Sequence, residues 1–423
     1  MEWRSISQRL RRRLLTLLEY KISNMKKYIL GFAFLLVIAQ PGNAQTASLK
    51  NKMAALIQDN FVFATKQYQY LKENTPDSLM PRSYVAATNT SVTSDTKWWC
   101  SGFYPGTLWY LYAYTKDENI RKEAEKRLGI LEKEKYYTGN HDLGFMIYCS
   151  FGTAYKYTNN PAYKDVVSIA AKSLSTRYRP AIKSIQSWNS SARLSCPVII
   201  DNMMNLELLH WVSDHGGDPV YKEIAVTHAN TTIEHQFRPD NSSVHVVDWD
   251  LANAKILKKV TWQGASDSSA WSRGQTWGLY GYTLMYRFTK NPAYLNQAKK
   301  IAKFILSHPN LPADKIPYWD FNAPGIPNVP RDASSGAIMA SALLELGQYT
   351  SGAEKKQYLQ TAETILMALS SEAYRAKLGQ NGGFLLMHSV GSLPHKSEVD
   401  APLTYADYYF IEGLTRYKDW YLK

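Results

Sequence analysis

One kind of turn recurs along this chain and limits what it can fold into. Thr115-Lys116-Asp117-Glu118, Thr158-Asn159-Asn160-Pro161-Ala162-Tyr163, Gly217-Asp218-Pro219-Val220-Tyr221, Thr289-Lys290-Asn291-Pro292-Ala293-Tyr294 and Thr350-Ser351-Gly352 each follow an aromatic-rich helical stretch and precede a Lys-rich amphipathic one. Asn-Pro and Asp-Pro start helices well: the first residue caps free N–H groups, and Pro occupies a position whose N–H would be unpaired anyway. A helix that is apolar nearly all round must lie inside protein, and one with a polar face lies outside. Inner helices are expected to begin near Gly102, Asp142, Val198, Ala270, Ala333 and Thr404. Outer helices are expected at 47–73, 118–135, 162–178, 220–236, 292–307 and 354–371. Six such pairs predict an all-α fold, an (α/α)6 barrel, with a spacing of roughly 45 to 75 residues that is too irregular for a strict solenoid.

Residues 244–262 break the helical pattern. His245-Val246-Val247-Asp248-Trp249 and Lys258-Lys259-Val260-Thr261-Trp262 alternate like strands and predict a small β insertion on the rim. Insertions of that length in a compact barrel tend to carry function.

Residues 25–44 read as a signal peptide. Met25-Lys26-Lys27 is basic, Tyr28 to Ile38 is apolar, and Pro41-Gly42-Asn43-Ala44 ends in a small residue before Gln45. The apolar run is short for a bilayer, so no membrane span is expected, and cleavage near Ala44 would give a periplasmic or secreted protein. Residues 1–24 then read as an upstream extension and 45–423 as a single catalytic domain. The leader holds a net +6 of the chain's +13. The remaining excess is spread out, which argues against a nucleic acid partner and suits a small acidic substrate. Cys100, Cys149 and Cys196 form no CxxC and sit among apolar or aromatic residues, as buried free thiols do. The nine His show no metal motif, and no cofactor is implied. Thirty Tyr and twelve Trp suit an enzyme that stacks rings on sugars, and equally a large helical core.

If the inner helices run parallel, their N-termini meet at one mouth of the barrel. The residues there are Trp98, Trp99 and Tyr104; His141 and Asp142; Asp201; Gln263, Trp271, Arg273 and Trp277; Arg331, Asp332 and Ser334; Tyr405 and Asp407. Helix caps explain some Asp and Ser but not the Trp, His and Arg, and the concentration points to a pocket. Asp201 stands in the apolar opening Val198-Ile199-Ile200, on one helical face with Asn205. It is open to two readings, a capping carboxylate or a catalytic acid. Asp142 belongs to the neighbouring inner helix, and two close carboxyls resist double ionisation, so one keeps a proton near neutral pH. Arg273 offers a planar fork for a substrate carboxylate. A uronic acid satisfies both features. Asp332, before Ala333-Ser334-Ser335, reads as an N-cap.

His141-Asp142-Leu143-Gly144-Phe145, Ile200-Asp201-Asn202-Met203-Met204-Asn205, Trp271-Ser272-Arg273-Gly274-Gln275-Thr276-Trp277-Gly278, Tyr318-Trp319-Asp320-Phe321 through Pro330-Arg331-Asp332-Ala333-Ser334, and Tyr405-Ala406-Asp407-Tyr408-Tyr409 occur in this order. With these motifs the chain resembles glycoside hydrolase family 88, the unsaturated glucuronyl hydrolases, over residues 47–423. The resemblance implies an (α/α)6 barrel that removes a 4,5-unsaturated uronic acid from the non-reducing end of lyase-generated oligosaccharides by hydrating its enol-ether double bond. It implies Asp201 as the proton donor and base, assisted by Asp142, with substrate contacts from His141, Trp188, His245, Gln263, Trp271, Arg273 and Trp277. For Trp277, on an apolar helical face, core packing is the competing reading. Three rivals stand beside this one: an unsaturated rhamnogalacturonyl hydrolase acting on pectin or ulvan fragments, a conventional inverting glycosidase, and a non-catalytic periplasmic oligosaccharide-binding protein.

Overall fold

The computed structural model describes residues 2–32 and 41–423. It divides into two compact units, Met1–Met53 and Ala54–Lys423. The first contains the helix Glu2–Phe32, whose Ile6, Leu10, Leu14 and Leu17 are exposed. Part of the expected leader core, residues 33–38, lies outside the described residues. Among the described residues no helix is long and apolar enough to cross a membrane.

The second unit holds the barrel. Its inner helices are Phe103–Thr115, Gly144–Gly152 continuing into Thr153–Thr158, Asn202–Asp214, Ser272–Thr289, Ala333–Leu346 and Thr404–Tyr421. The outer ones are the part of Pro41–Glu73 from residue 54 onward, Glu118–Leu131, Pro161–Ser175, Val220–His235, Pro292–Ser307 and Gly352–Leu369. The repeated turn is one structure used three times. Lys116, Asn159 and Lys290 end their inner helices in the left-handed conformation. In each turn the preceding Thr hydroxyl (Thr115, Thr158, Thr289) accepts the N–H of the capping residue at 3.2 Å. Asp117, Asn160 and Asn291 then cap the outer helix by accepting from Asn119, Ala162 and Ala293. These caps fix where each chain reversal falls, and burial of the aromatic helices drives closure.

The structure corrects the sequence reading at two places. The inner helix expected from Val198 starts at Asn202, because Pro197–Ile199 is a strand. Val198 and Ile199 are β-branched and face opposite ways, Val198 with Cys196, Val247 and Trp249, and Ile199 with Leu194 and Val246. The strand pairs antiparallel with Val246–Asp250, which pairs in turn with Lys255–Val260, so the expected rim hairpin is two strands of a three-stranded sheet. The second correction concerns Gly144–Gly152, which is π-helical, a widened form often found next to functional sites. Gly144 allows the close approach to the next inner helix there, since a Cβ would lie 2.6 Å from the Cα of Asn205. The three cysteines are buried free thiols.

Candidate active site

Strand pairing places Asp201. The N–H of Ile200 donates to the carbonyl of His245 at 3.2 Å, which brings Asp201 beside the His245 ring. Asp201 occupies the N-cap position of Asn202–Asp214 in right-handed helical geometry and makes no capping hydrogen bond. The cap reading of Asp201 is thereby excluded. Asp332 does cap its helix, accepting the Ser334 N–H at 3.1 Å.

Two histidines hold defined tautomers here. His245 Nδ1 accepts the N–H groups of Trp262 and Gln263, both at 3.1 Å, so its single ring proton is on Nε2. Nε2 faces Asp201 Oδ2 at 3.8 Å. Asn205 Oδ1 accepts the Phe145 N–H at 3.0 Å, which turns its amide nitrogen toward His141 Nδ1 at 3.4 Å. The His141 proton is then also on Nε2, 3.4 Å from Asp142 Oδ1. Burial keeps both rings neutral: it lowers His245 to about 3 and His141 well below its usual range. Each carboxyl therefore faces a neutral N–H donor rather than a cation.

The carboxyls themselves hold protons. Burial, and next the charge of Asp201, push Asp142 up to about 8. Burial pushes Asp201 up to about 7, against the lowering pull of Arg273. The sequence reading attributed proton retention to mutual repulsion, but burial is the larger cause at both positions. Their side chains keep 14% and 13% exposure, enough to meet a ligand. Asp201 Oδ2, His245 Nε2, Trp277 Nε1 and the Tyr405 hydroxyl are buried with no hydrogen-bond partner within the protein. An unpaired buried polar atom costs roughly 1–3 kcal/mol, which a polar guest reaching Asp201 Oδ2 and His245 Nε2 would recover in part.

The other expected residues border this pair in different ways. Trp271 packs against His245 with ring centroids 4.5 Å apart. Trp188 bridges to Asn140, next to His141, and its ring is 6.0 Å from Trp262. Gln263 donates its side chain to the Gly391 carbonyl at 3.3 Å. Arg273 departs from expectation. It is 1% exposed, and its terminal nitrogens bind Asp332 at 3.2 Å, the Val390 carbonyl, and the Gly391 carbonyl at 2.6 Å, while its face lies over Trp271. Its fork is taken up by the protein, so it braces the Ser389–Ser392 strand and acts on Asp201 through charge. Trp277 is also corrected. Fully buried between Phe145 (5.1 Å) and Tyr409 (5.4 Å), it presents no ring face to a sugar and points its indole N–H toward Asp201. Trp262 and Asn205 were missed as site residues. The spacing of Asn205 from Asp201 was a usable signal, whereas Trp262 matters through its backbone N–H, which no side-chain pattern reveals.

At the opposite end of the inner helices lies a cavity of about 440 Å³ lined by Glu207, Arg287, Glu345, Glu412, Arg416 and Trp211, among others. Arg287 binds Glu345 at 2.6 and 2.8 Å and also Glu207, and Arg416 binds Glu345 at 3.0 Å. Burial alone would raise Glu345, but these two arginines hold it down at about 2. Glu345 there is held as a carboxylate. Asp142 and Asp201 differ from that end, since each carboxyl is raised by burial and meets a neutral N–H donor. A raised carboxyl at the end where the inner helices begin suits general acid chemistry on a polar guest.

Comparison with known proteins narrows this chemistry. No family model matches the chain. It is 47% identical over 345 residues to an unsaturated glucuronyl hydrolase from Formosa agariphila, covering 81% of this chain and 86% of that one. It is 32% identical over 359 residues to an unsaturated chondroitin disaccharide hydrolase from Streptococcus pyogenes, covering 83% and 88%. Among solved structures, an unsaturated glucuronyl hydrolase specific for heparin superimposes with a TM-score of 0.83 at 42% identity, over 86% of this chain and 97% of that one. A variant of the Streptococcus agalactiae enzyme complexed with dGlcA-GalNAc6S gives a TM-score of 0.74 at 29% identity, over 88% and 93%. The chain belongs to the unsaturated glucuronyl hydrolases, glycoside hydrolase family 88.

Proposed function

We propose that this enzyme removes the 4,5-unsaturated uronic acid from the non-reducing end of glycosaminoglycan-type oligosaccharides, with Asp201 carrying both proton transfers. Protonated Asp201 donates to C4, the double-bond electrons form the new C4–H bond, and positive charge develops at C5 and the ring oxygen. Water adds to C5 and gives its proton to the Asp201 carboxylate, which restores the acid. The hemiketal opens to a ketone at C5, and the hemiacetal left at C1 expels the remaining sugar as an alcohol. Asp142 contacts the sugar hydroxyls, and His141 and His245 donate hydrogen bonds without competing as acids. Trp188 and Trp271 line the path.

The observation that carries this reading is a buried carboxyl raised to about 7 that faces a neutral N–H donor and has no partner at Oδ2. Such an acid suits protonation of an enol ether, which needs one donor and no covalent nucleophile. The test is loss of enol-ether ultraviolet absorbance with a panel of unsaturated chondroitin, hyaluronan and heparin disaccharides beside rhamnogalacturonan and ulvan fragments. Turnover of the glycosaminoglycan members is expected. Turnover of the pectin or ulvan fragments alone would overturn the glycosaminoglycan preference, and binding without turnover would overturn the proposed reaction.

The basic, apolar and small-residue sequence of 25–44 supports export to the periplasm or medium, leaving residues 45–423 as the catalytic domain. N-terminal sequencing of the exported protein should begin at Gln45, and an intact leader would overturn this.

A further inference from the structure

Asp142 and Asp201 lie just before two different inner helices, and Ser187 is bonded to the segments that carry both. Its carbonyl accepts the His141 N–H at 2.9 Å, and its N–H donates to the Pro197 carbonyl at 2.8 Å. Its hydroxyl accepts the Ile199 N–H at 2.9 Å and donates to Asn202 Oδ1 at 3.3 Å. Ile199 and Asn202 bracket Ile200 and Asp201, so one hydroxyl spans the turn that carries the acid. The Asn202 amide nitrogen donates to the Ile185 carbonyl at 2.6 Å, which turns its oxygen toward Ser187. On the Asp142 side the contact is braced twice more. Arg177 donates to the carbonyls of Gln186 at 2.7 Å and Thr138 at 2.6 Å, and to Asn189 Oδ1 at 3.2 Å. Asn140 and Trp188 pair as an antiparallel bridge. The segment around Ser187 is thus fastened to the approach to Asp142, and the serine hydroxyl carries that fastening to both sides of Asp201. Ser187 and Asn202 are fully buried, so this hydroxyl reaches no substrate and can act only through what it holds.

Resting on the function proposed above, we infer that Ser187 is a positioning residue whose hydroxyl holds the Ile199–Asn202 turn against the His141 segment and so sets the separation of Asp142 and Asp201. Two things depend on that separation. The acid must stand in line with the carbon it protonates, and a small displacement of a catalytic group costs much of its rate. The carboxyls must also stay close enough for the charge of one to keep the proton on the other, as Asp201 does for Asp142.

The experiment measures kcat, KM and the pH profile of kcat, per folded molecule and on whichever disaccharide of the panel wild type turns over fastest, in wild type, Ser187→Ala and Ser187→Cys. Ser187→Ala takes the partner from the Ile199 N–H and from Asn202 Oδ1 and changes no charge. Arg177 beside Asp142, Arg273 beside Asp201, and the neutral Tyr137, His141 and His245 all remain. It should lower kcat about tenfold with KM within about twofold. The limb of kcat that falls near pH 7 should move to about 6.5, because carboxyls that drift apart repel less and admit water. Ser187→Cys has nearly the same shape but hydrogen-bonds weakly, so it should fall between the two, and it carries the test alone if Ser187→Ala does not fold. A lower melting temperature with kcat and the limb unmoved is what a merely structural serine gives, and that result overturns this inference and leaves the proposed function standing. No turnover of any substrate by wild type removes both.

Discussion

At one mouth of the barrel Asp142 and Asp201 lie largely buried beside neutral imidazoles, and at the other Glu345 and Glu412, with half-buried Glu207, lie against Arg287 and Arg416. Both ends take carboxyls out of water, which costs free energy in either place. One end answers with protons and the other with arginines. Asp201 is held up at about 7 and Glu345 down at about 2, with burial working the same way on both. The difference lies in what stands next to each carboxyl: a pre-formed cation stabilises the charge permanently, whereas a neutral N–H donor lets the proton stay until a substrate takes it. An aromatic layer of Phe103, Phe145, Trp277, Tyr408 and Tyr409 lies between the two ends.

That contrast is broken most severely by Asp201→Asn, which should lower kcat by about a thousandfold, the range of a lost general acid, with the far-ultraviolet circular dichroism unchanged. Near-normal turnover would move the acid elsewhere. Glu345→Gln acts on the other mouth: it leaves Arg287 and Arg416 short of a buried partner and should cost about 3 kcal/mol in urea unfolding, with turnover per folded molecule within about twofold. A large loss of kcat there would mean that the two ends are not independent. Asp142→Asn should reduce kcat/KM by about a hundredfold, since it removes a contact to the sugar and a neighbour of the acid.

Two pH measurements sharpen the comparison further. kcat should fall as pH rises through about 7, where Asp201 loses the proton it must donate. A flat profile to pH 9 would contradict the assignment. Asp142 titrates at about 8 when folded and near 3.8 when free. Between those values the folded chain holds the extra proton, so stability falls as pH rises through the window and is fully present below it. Asp142→Asn removes this dependence. Its melting temperature should gain on wild type from pH 4 to pH 8, and a constant gap would show that the group is ionised in the fold.

Most of the barrel was legible in the sequence because its signals are local. A Thr two residues before a capping Asp or Asn and a change from apolar to amphipathic helix need no distant partner to be recognised. The pocket was legible only as a list of residues. Arg273 was read as an open fork because two of its acceptors are the carbonyls of Val390 and Gly391, more than a hundred residues later and without side-chain character. The neutral state of His141 and His245 follows from burial, a property of the assembled fold. Val198-Ile199-Ile200 fits both a helix opening and a strand, and only the Val246–Asp250 partner strand decides between them.

That three-residue strand has a consequence in time. Its pairing joins residues about fifty positions apart, a contact that costs chain entropy before it returns any energy. The helix hairpins on either side form from neighbours in sequence and need no such wait. During synthesis or refolding, the helix hairpins therefore form ahead of the stitch that sets Asp201 against His245, while closure of the ring, which joins residues such as Tyr68 and Asp407, spans far more chain. Activity is expected to return after helicity, and a chain stopped between the two would hold its hairpins without its acid in place.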